Sequence, residues 1–395
     1  MKLILISYLA VVVRAQSFLE AISAYPQLSN FTSLLINNPA LGSSLLLASA
    51  VSPQTVMVPD NTAFLKYKNS TGISISAVAT DDLVPVVNYH ILSGLYLSQN
   101  FATPQGITVP TYLVGPQYNN RSAGAALSSV GATNGSHDGQ VVFIAPKTNG
   151  SSILGRQLSS AGVVVQSGRK QQVNLTTING VWDGGSFHEV DGFLTLPKIC
   201  TETIRAWGLS SMDLALNRTG LSSVVDHLNN VTCLGPSDQA FLQAGSPDVK
   251  ANTSALANDI LFHTIQQPLY SNFLQDGQTF ASMSNATIRV ALKDGDIYFN
   301  DARVMHANVI TNNGLMYVLD RVMSPLQDAS TTTGPLTTPI VPTVTPSVTT
   351  TLTPTTSSSA SSSAAQATGV AIALQYLWCW GTLALLVGYI YISYD

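Results

Sequence analysis

Histidine offers this chain its widest chemistry, because its ordinary pKa lets it act as an acid, a base or a metal ligand near neutral pH. Six are present: His90, His137, His188, His227, His263 and His306. Tyr89 directly precedes His90, so the two could act as a catalytic pair, whereas the structural alternative is a buried imidazole hydrogen-bonded to the backbone. The sequence contains no HExxH zinc motif, His-x-His copper pair, GxSxG elbow, P-loop or GxGxxG fingerprint. We therefore expect no catalytic residue, no metal and no cofactor.

The residues around these histidines occur in two copies. Residues 55–65 and 232–242 each contain a short apolar strand, a proline with two polar turn residues, and the Ala-Phe-Leu start of a helix. Two further anchors follow in the same order, an aromatic-His pair and an apolar strand that ends near an aspartate: residues 89–90 and 262–263, then 187–191 and 316–320. Three anchors in one order indicate an internal repeat.

Repetition also bears on the carboxylates. Asp60, Asp191, Asp238 and Asp320 sit at what read as matching positions of the two copies. Because two identical active sites are the costlier explanation, this placement favours a role in the fold. The Pro-Asp-Asn and Pro-Ser-Asp turns are expected to cap the helices that follow them.

The combined pattern resembles the fasciclin (FAS1) family over roughly 310 of the 395 residues. The residues that carry the resemblance are Pro59, Asp60, Asn61, Phe64, Tyr89, His90, His188 and Asp191 in the first copy, and Pro236, Asp238, Phe241, Phe262, His263, Asn313, Gly314 and Asp320 in the second. The second copy departs from the family at Phe262 and at Tyr317, where the family usually has Tyr and His. In the first copy Gly184-Gly185 precedes the last anchor, and Asn179-Gly180 reads as the family's Asn-Gly pair displaced upstream.

The resemblance implies an α+β fold of two tandem FAS1 domains, each a β-sandwich-like core wedge with a helical layer. We place the first domain at 16–198 and the second at 199–326. His90 to Asp191 is 101 positions and His263 to Asp320 is 57, so the first domain carries about 44 extra residues. They are expected between Thr108 and Lys170, as surface decoration or as a binding feature. In the second domain, alternating apolar residues around the turn at 293–296 and around 312–314 predict two hairpins.

The N-terminus predicts secretion. Residues 1–15 combine Lys2, a short apolar run and small residues at a cleavage site, as in a signal peptide. Ten N-glycosylation sequons support the same route: Asn30, Asn69, Asn120, Asn134, Asn149, Asn174, Asn217, Asn230, Asn252 and Asn285. In an oxidising compartment Cys200 and Cys233 could pair, or they could be two small buried apolar side chains.

The C-terminal end predicts an anchored stalk. Residues 327–368 are rich in Ser, Thr and Pro and carry almost no charge, which is typical of a disordered, O-glycosylated stalk. The apolar residues 369–395 could be a GPI signal or a type I transmembrane segment. The GPI signal is favoured because no basic residue follows the apolar stretch. Attachment would then lie near Ser357, Ser358, Ser359 and Ser361.

The formal net charge of −4 gives no electrostatic footprint for nucleic acid. The family resemblance implies a non-catalytic cell-surface glycoprotein of the plasma membrane or cell wall that mediates adhesion. Its expected partners are matrix or cell-wall glycans and proteins, or other fasciclin domains. The alternative is an accessory or scaffold for a secreted laccase-type oxidase that couples phenolic polyketides in fungal pigment or toxin biosynthesis, since some fungal fasciclin proteins have a similar layout.

Overall fold

The computed structural model describes residues 16–43, 53–118, 127, 139–147, 162–169 and 171–325. The predicted signal peptide, the stalk, the GPI region and the apolar tail lie outside these residues. Both halves of the described chain belong to one compact unit.

The first half places its helices before and after the first strand of a sheet. Its helices are α1 (Phe18–Ser23), α2 (Ser29–Asn37), α3 (Asn61–Thr71) and α4 (Thr80–Tyr89). Its strands are β1 (Gln54–Pro59), β2 (Ile91–Ser93), β3 (Ile107–Pro110), β4 (Val141–Pro146), β5 (Val163–Gln166), β6 (Gln172–Trp182) and β7 (Gly185–Val190).

The second half repeats this order. Its helices are α5 (Cys200–Ala206), α6 (Ser210–Thr219), α7 (Ser222–His227), α8 (Asp238–Gln243), α9 (Pro247–Lys250) and α10 (Thr253–Phe262). Its strands are β8 (Val231–Pro236), β9 (Thr264–Ile265), β10 (Thr279–Ala281), β11 (Thr287–Lys293), β12 (Asp296–Phe299), β13 (Ala302–Thr311) and β14 (Gly314–Leu319). The two predicted hairpins are β11–β12 and β13–β14.

The described strands form two sheets with equivalent orders, β2-β1-β7-β6-β5-β4-β3 and β10-β11-β12-β13-β14-β8-β9. In each sheet the first and last strands of the domain pair in parallel, β1 with β7 and β8 with β14. The first sheet curls far enough for Leu92, at one edge, to bridge to Thr111, just beyond the other. The predicted α+β fold of two tandem domains is confirmed, each being a nearly closed sheet with helices.

Strand β1 shows how the sheet holds the core. Val56 and Val58 pack with the helices, whereas Met57 packs inside the curled sheet, because successive side chains of a strand point to opposite faces. The middle of this strand is buried on both faces, which explains the apolar sequence Val-Met-Val before the Pro-Asp-Asn turn.

The extra residues of the first domain fall in two connections. Residues 111–140 join β3 to β4, where residues 282–286 join β10 to β11 in the second domain. Residues 147–162 join β4 to β5, where residues 294–295 suffice in the second domain. Both lie within the range predicted from the sequence.

Candidate functional site

The Pro-Asp-Asn and Pro-Ser-Asp turns each begin a helix. The Ala63 N–H donates to Asp60 Oδ1 at 2.7 Å, which caps α3. The corresponding cap of α8 is Ser237, whose Oγ accepts from Ala240 N–H at 3.2 Å. The prediction that Asp60 and Asp238 occupy matching positions is therefore wrong, because the capping position of the second domain is one residue earlier.

Asp238 instead matches Asn61, and both fasten one helix to another. Asn61 Oδ1 accepts from Asn30 N–H in the first turn of α2 at 3.0 Å. Asp238 Oδ1 accepts from Ser211 N–H in the first turn of α6 at 2.8 Å. In each case the side-chain oxygen satisfies an N–H at a helix start that has no partner within its own helix.

Asp191 and Asp320 close the opposite end of the motif. The Asn174 N–H donates to Asp191 Oδ1 at 2.6 Å, and the Arg303 N–H donates to Asp320 Oδ1 at 2.9 Å, across the same spacing of 17 residues. Partial burial opposes ionisation, yet hydrogen bonds from Lys66 and Asn174 hold the pKa of Asp191 below its ordinary value. Each carboxylate ties the end of its domain's last strand to the preceding strand.

His90 and His263 make the same two hydrogen bonds. Their Nδ1 atoms lie 2.8 and 2.7 Å from the carbonyl oxygens of Val86 and Asp259. Their Nε2 atoms accept from backbone N–H groups of residues 194 and 323 at 3.0 and 2.9 Å. Burial lowers the pKa of each to about 4. Each imidazole is thus neutral, protonated on Nδ1, with both nitrogens engaged by the backbone.

The substitution of Tyr317 for the family's histidine preserves a hydrogen bond. His188 Nε2 lies 2.9 Å from the carbonyl oxygen of Tyr96. The Tyr317 hydroxyl donates at 2.6 Å to the carbonyl oxygen of Leu269, which follows His263 by the same six positions as Tyr96 follows His90. Burial lowers the pKa of His188 and raises that of Tyr317 well above its ordinary value, so both side chains are neutral.

A threonine in each first motif fastens the same loop from the other side. Thr55 Oγ1 accepts from Tyr96 N–H at 2.8 Å, and Thr232 Oγ1 accepts from Leu269 N–H at 2.9 Å. Hydrogen bonds from two strands thus fix the loop after β2 and its counterpart after β9.

A further duplicated pair of hydrogen bonds, which was not predicted from the sequence, lies at a β-bulge of each domain. Asn179 Oδ1 accepts from Ser98 N–H at 2.9 Å, and Asn308 Oδ1 accepts from Ser271 N–H at 3.0 Å. Both asparagines have positive φ, 47° and 55°, and lie where the register of the strand pair shifts. Asn179 is therefore the counterpart of Asn308, and the interpretation of Asn179-Gly180 as a displaced copy of Asn313-Gly314 is wrong.

The true counterparts of Asn313 and Gly314 are Gly184 and Gly185. A Cβ at Gly185 or at Gly314 would collide with a carbonyl oxygen of the neighbouring parallel strand, so glycine is required at both. Asn313 Nδ2 donates to the Val225 carbonyl oxygen at 2.7 Å and so holds the end of α7. The first domain has no side chain at position 184 to make this bond.

These contacts leave the motif little chemistry to perform. Within the described residues, no cluster of three His, Cys, Asp or Glu side chains could hold a metal ion. His227 is exposed and bonds to the Ser223 carbonyl oxygen, and the His306 ring packs on Trp207 with centroids 4.9 Å apart. His137 lies outside the described residues. In the described part of the chain, the motif side chains stabilise the fold of the two domains.

The predicted modification sites are dispersed over the surface. Among the sequon asparagines within the described residues, Asn230 is half-buried and the rest are exposed: Asn30, Asn69, Asn174, Asn217, Asn252 and Asn285. Asn120, Asn134 and Asn149 lie outside those residues. Asn174 Nδ2 also donates to Asp191 at 2.6 Å, so a glycan there would compete with the fold. Within the described chain, no helix has the length and apolarity that a membrane span requires.

The two domains contact each other through the strands next to the first domain's long connections. Gln166 Nε2 donates to the Asn308 carbonyl oxygen at 2.6 Å, and Gln140 Nε2 donates to that of Asn312. Val141 and Leu127, from the first domain, belong to the apolar core of the second. Described residues of the region predicted as decoration or as a binding feature therefore pack against the second domain.

A cleft of about 550 Å³ lies at the contact between the domains. Thr108 Oγ1 donates across the contact to Asn272 Oδ1 at 2.7 Å. Tyr96 and Phe273 supply aromatic surface, and the described residues that line the cleft carry no formal charge. Burial raises the pKa of Tyr96, so its hydroxyl stays neutral. The loop held by Thr55 and His188 thus forms one wall of the cleft.

Comparison with known proteins gives consistent matches. The fasciclin domain model matches residues 26–135 and 208–325. A fasciclin-like arabinogalactan protein of Arthroderma benhamiae is 27% identical over 330 residues, covering 83% of this chain and 71% of that protein. The fasciclin-like arabinogalactan protein elcF of Phaeosphaeria nodorum is 28% identical over 312 residues, covering 78% and 88%. A solved FAS1 domain pair from the insect cell adhesion molecule Fasciclin I aligns with a TM-score of 0.33 and 14% identity, covering 76% of this chain and 97% of that chain.

Proposed function

The chain belongs to the fasciclin domain family, a family of generally non-catalytic adhesion domains, and we propose that it is a cell-surface glycoprotein that mediates adhesion. On this proposal its two domains bind matrix or cell-wall glycans and proteins, or the fasciclin domains of another chain. The proposal includes secretion, a glycosylated stalk and a GPI anchor, with a single transmembrane segment as the alternative anchor.

The observation that carries the proposal is the duplication of the motif's internal bonds. His90 and His263 have both ring nitrogens engaged by the backbone, and Asp191 and Asp320 fasten equivalent strands. The same polar side chains are hydrogen-bonded within the fold in both domains, as expected for a repeated structural module. Function is then left to the exterior of the domains.

The exterior offers one repeated feature that suits weak contacts. Leu65 and Leu242 occupy the same position of the Ala-Phe-Leu helix start and are 62% and 63% exposed. Exposed leucines at equivalent places on two domains would give a bivalent apolar contact, whose avidity exceeds that of either site alone. A partner with apolar patches at matching spacing fits this arrangement.

Adhesion of cells that display the full chain, compared with cells that lack it, tests the proposal. We expect the chain to increase cell–cell or cell–matrix adhesion, and no increase would contradict the proposed function. The double variant Leu65→Asp, Leu242→Asp should lose most of the increase. The control Lys68→Asp, which changes an exposed side chain of α3 and the net charge by the same two units, should retain it. Release by phosphatidylinositol-specific phospholipase tests the GPI anchor, and failure of release favours the transmembrane segment.

The cleft favours a second candidate function, that of an accessory protein for extracellular oxidative coupling of aromatic compounds. A concave site with aromatic walls, a few amide and hydroxyl groups and no formal charge among its described lining residues suits a neutral phenolic molecule. On this proposal the domain pair would hold such a substrate or product for a secreted oxidase.

Binding of 1-naphthol, followed by its fluorescence anisotropy, tests this second function. Phe273→Ala should weaken binding about tenfold by removing an aromatic wall, whereas Leu242→Ala, on the exposed face of α8, should leave it unchanged. Equal affinities for the two variants and the unmodified protein would reject the cleft as the site.

A further inference from the structure

Two cysteines from separate elements meet inside the second domain. Cys200 is the first residue of α5 and Cys233 is the third residue of β8. Their Sγ atoms lie 3.3 Å apart, and the two residues are 0% and 2% exposed. The sequence left open whether they pair, because 32 residues separate them and nothing in the spacing fixes their distance.

Both cysteines are held in place by their own elements. The Thr201 N–H and hydroxyl donate to the two carboxylate oxygens of Asp226 at 2.9 and 2.7 Å, which fixes the first turn of α5. Cys233 lies on strand β8, which is paired on both sides, and faces Met316 of β14 and Thr264 of β9. The Sγ separation of 3.3 Å exceeds the length of a disulfide bond by about 1.2 Å, so the two sulfurs need to approach each other by only that amount.

A bond between the two cysteines would lie next to the contact between the domains. Cys200 lies at the start of the second domain, and two residues before it the carbonyl oxygen of Lys198 accepts from Asn312 N–H at 2.8 Å. The carbonyl oxygen of Asn312 also accepts a hydrogen bond from the side-chain amide of Gln140 in the first domain. A covalent bond at Cys200 would therefore fasten the entry of the second domain to its core strand, beside the contact that joins the domains.

We propose that Cys200 and Cys233 form a disulfide bond in the secreted protein, an inference that rests on the proposed secretion. The two thiols lose two protons and two electrons to the disulfide of an oxidised thiol–disulfide oxidoreductase, which becomes a dithiol. One S–S bond forms in this chain and one is reduced in the oxidoreductase. The exchange takes place during folding, while the sulfurs are still accessible.

The burial of the pair supports this order of events. The hydrogen bond with Cys233 and burial together raise the pKa of the Cys200 thiol well above its ordinary value. Since the thiolate is the reactive form, the folded thiol is unreactive and its redox state is set before the domain closes.

Peptide mapping of the secreted chain tests the proposal. The protein is alkylated in denaturant without reduction, treated with peptide N-glycosidase and digested with trypsin. We expect residues 199–205 linked to residues 219–250, and the linkage should disappear on reduction. Cys233→Ser should leave Cys200 alkylated, whereas the control Cys379→Ser should keep the linked peptide.

Two outcomes would overturn the inference in different ways. Alkylation of both cysteines in chains that lose mass with the glycosidase, or linkage of either one to Cys379 or to another chain, would reject the disulfide and leave secretion intact. Chains that carry no glycan at all would reject secretion, and the disulfide with it. A second readout is the Tm, which reductant should lower for the unmodified protein and leave unchanged for the Cys200→Ser, Cys233→Ser variant.

Discussion

Asn308 combines a strained backbone with buried hydrogen bonds, so its replacement has a predictable cost. Its Oδ1 accepts from Ser271 N–H at 3.0 Å, its Nδ2 donates to Ser271 Oγ at 2.6 Å, and its φ is 55°. In Asn308→Ala the Ser271 N–H loses its partner inside the protein, at a cost of about 1–3 kcal/mol. Alanine at positive φ adds about 1 kcal/mol. We expect Asn308→Ala to lower the free energy of unfolding by about 3 kcal/mol.

Two matched variants separate these contributions. Asn308→Gly removes the hydrogen bonds but tolerates the positive φ, so it should cost about 1 kcal/mol less than Asn308→Ala. Asn179→Ala removes the equivalent pair in the first domain, where the asparagine is exposed and water replaces the lost partner. It should cost roughly 1–1.5 kcal/mol, mostly from backbone strain.

Urea unfolding of the purified chain, followed by circular dichroism, measures these differences through the shift of the midpoint. We expect the loss of stability to be largest for Asn308→Ala, smaller for Asn308→Gly and smallest for Asn179→Ala. Equal losses for the two alanine variants would show that burial of the pair adds nothing. Full stability of Asn308→Gly would show that the side-chain hydrogen bonds contribute nothing.

Three further predictions concern the motif. Tyr317→Phe removes the buried hydrogen bond to Leu269 and should cost about 1–3 kcal/mol, measured by the same urea titration. Gly314→Ala places a Cβ against a strand carbonyl and should prevent folding of the second domain, seen as loss of secreted protein. Acid should destabilise the protein: His90 and His263 have pKa values of about 4, so between pH 6.5 and 4 the unfolded chain binds protons that the folded chain does not. The loss approaches about 3 kcal/mol per histidine at pH 4, and an unchanged Tm between pH 7 and 4.5 would contradict it.

The repeated anchors made the fold predictable from the sequence. A strand followed by proline and a capping residue has a local signature, and so do the two hairpins of the second domain. Because both signals depend on residues close together in the chain, they can be recognised without knowledge of tertiary contacts. The structure accordingly has helices and strands where the patterns predict them.

The errors arose where the role of a residue depends on a distant partner. Asn179-Gly180 has the local appearance of an Asn-Gly turn, but Asn179 bonds to Ser98, 81 positions away. Asp238, like Asn61, follows the proline of its turn by two residues, and its bond to Ser211 shows that the two side chains also share a role. Likewise, Tyr317 appears as a departure from the family when only the sequence is compared. In the structure, Tyr317 and His188 each bond to a backbone carbonyl oxygen, and the two carbonyl groups occupy equivalent positions in the two domains.

One residue of the repeated motif, Asn308, also takes part in the contact between the two domains. Asn308 is the bulge residue of the second domain, and its carbonyl oxygen accepts from Gln166 of the first domain at 2.6 Å. A bulge turns backbone groups out of the strand ladder, so the same irregularity that holds Ser271 also frees an acceptor for the neighbouring domain. Because Val141 of the first domain also packs in the apolar core of the second, the two domains are not independent of each other. On the proposed function, the exposed Leu65 and Leu242 of such a pair would keep a fixed separation, and a partner would recognise their spacing as well as their chemistry.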